Sequence, residues 1–597
     1  MQPIDYAVLV GFMVWMLVIG GIFSRRVKNA SDMFAAGGRS PWWISGLSGY
    51  MTIFSAGTFV VWGGIAYRLG LVAVSILMVI GMSMILIGLT VAARWRRMGI
   101  TTPTEFLRIR FSEPVVQAYT WIGMLYGGIG LAVGLYSLAV MLAVLVPLPE
   151  GAPFRDPQSG NLSVSWSIIL WGAVVIIYTM AGGLWAVLMT DVIQCLILCL
   201  VVLLAVPLSI AAVGGVDQLW SRAPKGFFLP AAGEYTYTFL FLWFWVGFFR
   251  YAADWAFVQR YICVPTPRDA RKVAFLMGGL YLIGPVLWML PAMAYRVLAP
   301  DADLKEAYML ACRRVLPAGM LGIMVAAMFS ATASMVSSLL NVFAGVFTCD
   351  VYKALINPGA SQRRLVLVGR LVTLGYGLFV VGAALSVPWL GGAEQLVLVL
   401  VTVLLVPLML PVVWGLYSRY VGQGAVWATL AVCTPVALLV KAGPPVWMSL
   451  ELPAALGRIE AIPRATAASA LAIATVLTAA IDWVEANPQV TNAILGLVLP
   501  LGVLVAVEAI ARLGRVNAGW YRMQRAFADY AERPPAVVAS RLPARIVAAS
   551  LGMLGLLMTA ITILAEEQRT TLAAFAVLLL LAAAAMAWLG FKRAKTE

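Results

Sequence analysis

Apolar runs long enough to cross a membrane recur along this chain and leave little sequence between them. A bilayer core of roughly 30 Å takes about 20 residues of helix, and on that ruler about sixteen spans can be drawn. They lie near 5–23, 43–66, 70–93, 115–146, 164–181, 184–212, 236–258, 272–297, 317–349, 365–388, 394–417, 422–441, 464–482, 489–512, 543–565 and 570–591. The connecting loops are short, and the largest polar interruption is 513–542, so a soluble domain has no room. With 62% hydrophobic and 11% charged residues over 597 positions, the expectation is an all-α polytopic membrane protein.

The net charge of +15 is distributed by topology, which argues for a lipid bilayer and against nucleic acid as the partner. Basic residues gather after the first span (Arg25, Arg26, Lys28, Arg39), the third (Arg94, Arg96, Arg97, Arg108, Arg110), the seventh (Arg260, Arg268, Arg271, Lys272) and the ninth (Lys353, Arg363, Arg364). The alternate loops 147–163, 213–235 and 298–316 mix acids with bases. Basic loops face the cytoplasm, so the N-terminus is expected outside, in a plasma membrane, or an inner membrane if the source is bacterial. The alternation fails late, because counting puts the basic 513–542 loop outside; a miscounted span around 442–490 is the expected cause. The first apolar run follows Asp5 without a basic lead and reads as a retained helix. The six cysteines show no metal-ligand spacing, and histidine is absent. With no nucleophile elbow or phosphate loop either, an enzyme is not expected, nor any metal besides a transported or coupling ion.

Two regions differ in texture. Residues 1–440 carry Gly and Pro within long spans and a few polar groups at membrane depth; residues 441–597 are Ala/Leu/Val-rich additional helices with the basic loop, suited to scaffolding or to docking a protein partner. The second span is dense in small and hydroxyl residues, from Ser45 to Gly64. Such a helix can unwind at mid-membrane; close helix packing accounts for the same composition. Asp191 lies about two turns into the sixth span, where a carboxylate costs several kcal/mol and normally faces the bundle interior. Ser334, Ser337, Ser338 and Asn341 share one helix face, fit for a hard cation or for interhelical hydrogen bonds. The seventh span contains Gly247, Arg250, Tyr251, Asp254 and Trp255; Arg250 suits a carboxylate ligand, although Arg250 and Asp254, at i and i+4, can also neutralise each other.

The stretch Tyr178-Thr-Met-Ala-Gly182-Gly183-Leu-Trp-Ala-Val-Leu-Met-Thr190-Asp191-Val-Ile-Gln194 resembles a signature of the sodium:solute symporter family, which includes sodium/proline and sodium/glucose symporters. Five further stretches resemble it in order: Asp32 to Trp43; Ser55 to Phe59 with Ala66 to Gly70; Gln259-Arg260-Tyr261 with Arg268 to Arg271; Phe347 to Lys353; and Gly415 to Arg419 with Gly424-Ala425. The resemblance spans about residues 5–440. It implies a five-plus-five inverted-repeat symporter core with one leading helix, followed here by extra C-terminal helices.

By the same resemblance, a sodium site uses the carbonyls of Met51, Phe54 and Ala331 and the hydroxyl of Ser334, with a second site near Ser337 and Ser338. The family places another hydroxyl directly after the first, where this chain has Met335, a poor ligand for a hard cation; water or another oxygen fills in, or the site is weakened or lost. Asp191 is expected to assist ion release or to carry a proton. Thr58, Trp62, Trp245 and Tyr251 are expected to line the substrate pocket with Arg250. Leu77 and Ile80 stand where sugar symporters have polar groups, which argues against a sugar. The leading expectation is a secondary active transporter coupling sodium to uptake of a small organic solute bearing a carboxylate, an organic anion or an amino acid. The alternatives are a proton-coupled or uncoupled carrier, and a non-transporting sensor or assembly partner that keeps the symporter fold.

Overall fold

In the computed structural model, the described residues are 2–24, 38–100, 102–179, 184–393, 396, 405–449, 482–532, 542–564 and 568–591. The Gly182-Gly183 junction, the first half of the Asp32–Trp43 motif, nearly all of the span expected at 464–482, part of the span expected at 394–417 and most of the doubtful stretch near 442–490 lie outside them. Among the described residues the chain forms helices and no strand, and ten helices have the length and apolarity to cross a membrane.

We label the helices α1 (Pro3–Ser24), α2 (Trp42–Ile53), α3 (Gly63–Leu69), α4 (Leu71–Thr90), α5 (Ala92–Arg97), α6 (Pro103–Arg110), α7 (Glu113–Leu145), α8 (Val164–Thr179), α9 (Leu184–Val213) and α10 (Tyr237–Ala253). They continue as α11 (Trp255–Ile262), α12 (Pro267–Leu298), α13 (Met320–Val346), α14 (Gln362–Ser386), α15 (Val406–Gly415), α16 (Gln423–Ser449), α17 (Leu499–Ala511), α18 (Ala518–Ala531), α19 (Leu542–Leu564) and α20 (Arg569–Phe591). Their starts follow local chemistry. Extended Ser112 precedes Glu113 and a proline in the first turn of α7, where a carboxylate complements the helix dipole and proline forfeits only an unneeded N–H. The hydroxyl of Thr266 accepts the N–H of Asp269 to cap α12.

Two groups of helices pack side by side. One comprises α2–α3, α4, α10–α11 and α12; the other comprises α7, α8, α13 and α14. Within the first group α4 and α12 cross with backbones in contact: a Cβ built on Gly81 would lie 2.9 Å from the Gly278 carbonyl oxygen, and one on Gly278 equally close to that of Gly81. Only glycine fits such a crossing, the close approach that membrane helices use where lipid gives no hydrophobic drive. Helix α9 lies against both groups, flanked by α1 and by the α19–α20 hairpin. Buried Asp5 fixes α1: its carboxylate accepts the N–H groups of Gly319 at 2.7 Å and Gly322 at 2.9 Å, at the start of α13.

Each half of this core opens on a discontinuous helix. The first breaks between α2 and α3, around Phe54; the second breaks at Asp254, between α10 and α11. The basic segment expected as a loop at 513–542 contains a helix, α18.

Candidate functional site

The first break redirects four backbone N–H groups. Phe54 is extended (φ −81°, ψ 122°), and the helical donors for the carbonyls of residues 51–54 go elsewhere. Ser55 N–H donates to Thr58 Oγ1 at 3.2 Å, Ala56 N–H to Thr332 Oγ1 at 2.9 Å, Gly57 N–H to Ser55 Oγ at 3.2 Å and Thr58 N–H to the Ser55 carbonyl at 2.9 Å. Met51 recovers a donor from Phe54 N–H. Carbonyls of Thr52, Ile53 and Phe54 thus lose their ladder donors at membrane depth, the arrangement by which broken helices present oxygens to a cation. The donor set fits sodium.

The second break works differently. Asp254 (φ −58°, ψ 130°) ends α10 and caps α11, its Oδ1 accepting Ala256 N–H at 3.0 Å. The Ala252 carbonyl, which would have paired with Ala256, accepts the indole N–H of Trp95 at 2.7 Å instead.

Between the breaks lies a cavity of about 190 Å³. Its polar lining includes Ser55, Thr58, Arg250 and Asp254; Trp62, Tyr126, Trp243, Tyr251, Phe257 and Phe343 supply aromatic walls. The Arg250 guanidinium stands 5.0 Å over the Tyr251 ring, and its Nε has no hydrogen-bond partner among the described residues. Although they are four residues apart, Arg250 and Asp254 do not come within ion-pair distance of each other among the described residues. A second cavity of about 20 Å³, room for about one water, is lined by Met51, Asp191, Gln259 and Arg260. Thr52, Ala256, Met335 and Leu339 line both cavities and form the partition between them.

Beside the smaller cavity sits a buried charge cluster. Ser48 Oγ donates to Asp191 Oδ2 at 2.6 Å and accepts from Arg260 Nη2 at 3.2 Å, and Arg260 Nη2 lies 3.6 Å from Asp191 Oδ2. Arg260 Nη1 also donates to Gln259 Oε1 at 2.9 Å. Asp191 and Arg260 are both about 5% exposed or less.

The sequence profile of the sodium:solute symporter family matches residues 33–431. The chain belongs to that family. It is therefore a multi-pass membrane transporter of a small-molecule solute and not an enzyme. Among similar symporters, the sodium/glucose cotransporter of Vibrio parahaemolyticus is 27% identical over 428 residues, covering 65% of this chain and 74% of that protein. The sodium/sialic acid symporter of Proteus mirabilis is 27% identical over 411 residues, covering 65% and 78%. A solved structure of a sodium-coupled sialic acid symporter in a substrate-bound outward-open state superposes with a TM-score of 0.65 at 23% identity, covering 86% of this chain and 98% of that one. The shared fold is the inverted five-plus-five symporter core.

On this symporter scaffold the expected site residues fall into three sets. Thr58, Trp62, Arg250, Tyr251 and Asp254 line the larger cavity together. Met51 and Asp191 line the smaller one. Phe54 stands at the first break with its ring against Tyr50, Phe59 and Trp288, while Ala331 and Ser337 are buried on α13. The side chains of Ser334, Ser338 and Asn341 lie outside the described set. Gly247 does not reach the cavity: it packs on α4, where an added Cβ would lie 2.9 Å from Ser83 Oγ. Trp245 turns to Phe244 and Phe248, and Trp243 lines the cavity in its place. Thr332, Ser48 and Arg260 were not singled out as site residues. Arg260 had a signal, an arginine closing an apolar span; Thr332 had none beyond its hydroxyl.

Proposed function

We propose that this symporter couples sodium to the uptake of a small solute bearing a carboxylate. The observation that carries the reading is Arg250, a guanidinium lining the larger cavity without a carboxylate partner among the described residues. Guanidinium matches carboxylate bidentately, and at membrane depth a cation out of ion-pair contact with Asp254 favours a ligand that supplies that contact. Sodium coupling fits the carbonyls released at residues 52–54. The proposed ligands are the carbonyls of Met51, Phe54 and Ala331 and the hydroxyl of Ser334, with Ser337 and Ser338 near a second site. Asp191, across the partition from the substrate cavity, attracts the departing ion. Residues 1–440 carry transport, and residues 441–597 are scaffold or a docking surface for a protein partner. The basic loops support a cytoplasmic side for themselves and so an N-terminus outside, in a plasma membrane.

The larger cavity slightly exceeds the ~150 Å³ void that holds one benzene molecule, so the solute is of about six to ten non-hydrogen atoms. Met335 in the partition favours a second reading, proton coupling through Asp191, because a thioether adds little to a sodium site.

The test is the melting temperature of the purified protein in sodium chloride against choline chloride at equal ionic strength, followed by uptake by Arg250→Ala. A sodium-specific rise is expected by mass action, together with loss of carboxylate uptake in the variant while the sodium shift persists. No sodium shift, with stability that follows pH instead, would transfer support to the proton-coupled reading. Unchanged uptake by Arg250→Ala would remove the carboxylate reading.

A further inference from the structure

We infer that the solute is a small zwitterion, its carboxylate on Arg250 and its ammonium on Asp254; the inference rests on the carboxylate reading of Arg250 and adds the second charge. Both residues line one cavity. On an unbroken helix a basic and an acidic residue four apart would pair. Here α10 ends at Ala253, and the extended ψ of 130° at Asp254 carries its carboxylate off the helical register. One carboxylate oxygen is then held by the Ala256 N–H, as the cap of α11. The break therefore keeps two opposite charges apart and turns both toward the same space.

Ligands of different charge meet that space differently. A plain carboxylate satisfies Arg250 but brings a second negative charge beside Asp254, which like-charge repulsion at low dielectric penalises. A plain ammonium does the reverse at Arg250. A molecule carrying both groups satisfies both side chains and adds no net charge to the membrane interior. Amino acids of six to ten non-hydrogen atoms match the size of the cavity, and Trp62, Ile80, Leu131 and Phe343 offer apolar surface to a short hydrocarbon side chain.

The experiment uses matched triplets on three carbon skeletons: L-alanine, propionate and ethylamine; L-valine, 3-methylbutanoate and isobutylamine; L-proline, cyclopentanecarboxylate and pyrrolidine. Binding to the full-length protein is read by calorimetry in sodium chloride. At least one amino acid is expected to bind about tenfold or more tighter than both of its single-charge analogues, the size of one charge-assisted hydrogen bond. Asp254→Asn keeps an oxygen to cap α11, so its melting temperature in sodium is expected to stay near that of the native protein. It should lose the preference for the amino acid while binding the plain carboxylate at least as well. Arg250→Gln should weaken amino acid and carboxylate alike. A plain carboxylate that binds as tightly as its amino acid, or an Asp254→Asn protein that keeps the preference, overturns the zwitterion while the carboxylate reading stands. If no carboxylate-bearing probe binds, or only amines do, both fail together.

Discussion

The hydroxyl of Thr332, on α13, accepts the backbone N–H of Ala56 at 2.9 Å and donates to the Met328 carbonyl at 3.0 Å. It joins the second half of the core to the break in the first helix of the first half, and it takes a donor that would otherwise close the ladder at Thr52. Thr332→Val leaves that buried N–H without a partner, at a cost of about 1–3 kcal/mol. The variant is expected to melt lower and to show a smaller sodium-specific rise, while Thr332→Ser behaves like the native protein. A valine variant with an undiminished sodium shift would mean that the break is held open by something else.

Asp191 and Arg260 form a buried pair bridged by Ser48. Removing one charge of such a pair costs about 3–5 kcal/mol, because the other is left uncompensated. Asp191→Asn and Arg260→Gln should each lower the melting temperature strongly. The double variant should recover most of the loss, since both charges are gone. Additive losses in the double variant would show that the two residues act independently.

The sequence made the span pattern legible, and the small residues around Gly57 marked a helix that can unwind or pack closely; the second break, at Asp254, falls inside a span drawn unbroken at 236–258. The relation of Arg250 to Asp254 was not legible. Spacing of i, i+4 implies a pair only if the helix continues, and here the acidic member is itself the residue that ends it. Thr332 and Ala56 are distant in sequence, so only the packing of α13 on the break brings them together. Helix α18 has a sequence signal inside its basic segment: Trp520, Met523 and Phe527 recur at helical spacing, and they are the residues that pack inward.

Met335 lines both cavities, in the partition that separates Arg250 from Asp191. Met335→Ser exchanges a thioether for an oxygen ligand and a bulky wall for a small one. If the sodium site lies at this partition, the sodium concentration for half-maximal stabilisation should fall, by about tenfold for each 1.4 kcal/mol gained. Met335→Leu should leave it unchanged. An unaltered sodium response in the serine variant would place the ion elsewhere.

Helix α18 is tied to the core through Asn517 and Arg110. Buried Arg110 donates through Nε to the Gly415 carbonyl at 2.8 Å, through Nη2 to that of Ser418 at 2.9 Å and through Nη1 to Asn517 Oδ1 at 3.0 Å. Burial and the nearby charge of Arg522 push its pKa down to about 10, so these bonds must offset the cost of desolvating a cation. Asn517 Oδ1 also accepts Gly519 N–H at 2.8 Å, capping α18. A Cβ on Gly519 would stand 2.0 Å from the Arg110 carbonyl oxygen, too close for any other residue without displacing the helix. Asn517→Ala loses both the cap and one of the three acceptors of Arg110, about 1–3 kcal/mol together, and Gly519→Ala pushes α18 off its seat. Both variants should be cut faster by trypsin at Arg515, Arg522 and Arg525 under native conditions, and both should melt lower. Cleavage at the native rate in both would show that α18 owes its position to Trp520, Met523 and Phe527 rather than to the Arg110 tie.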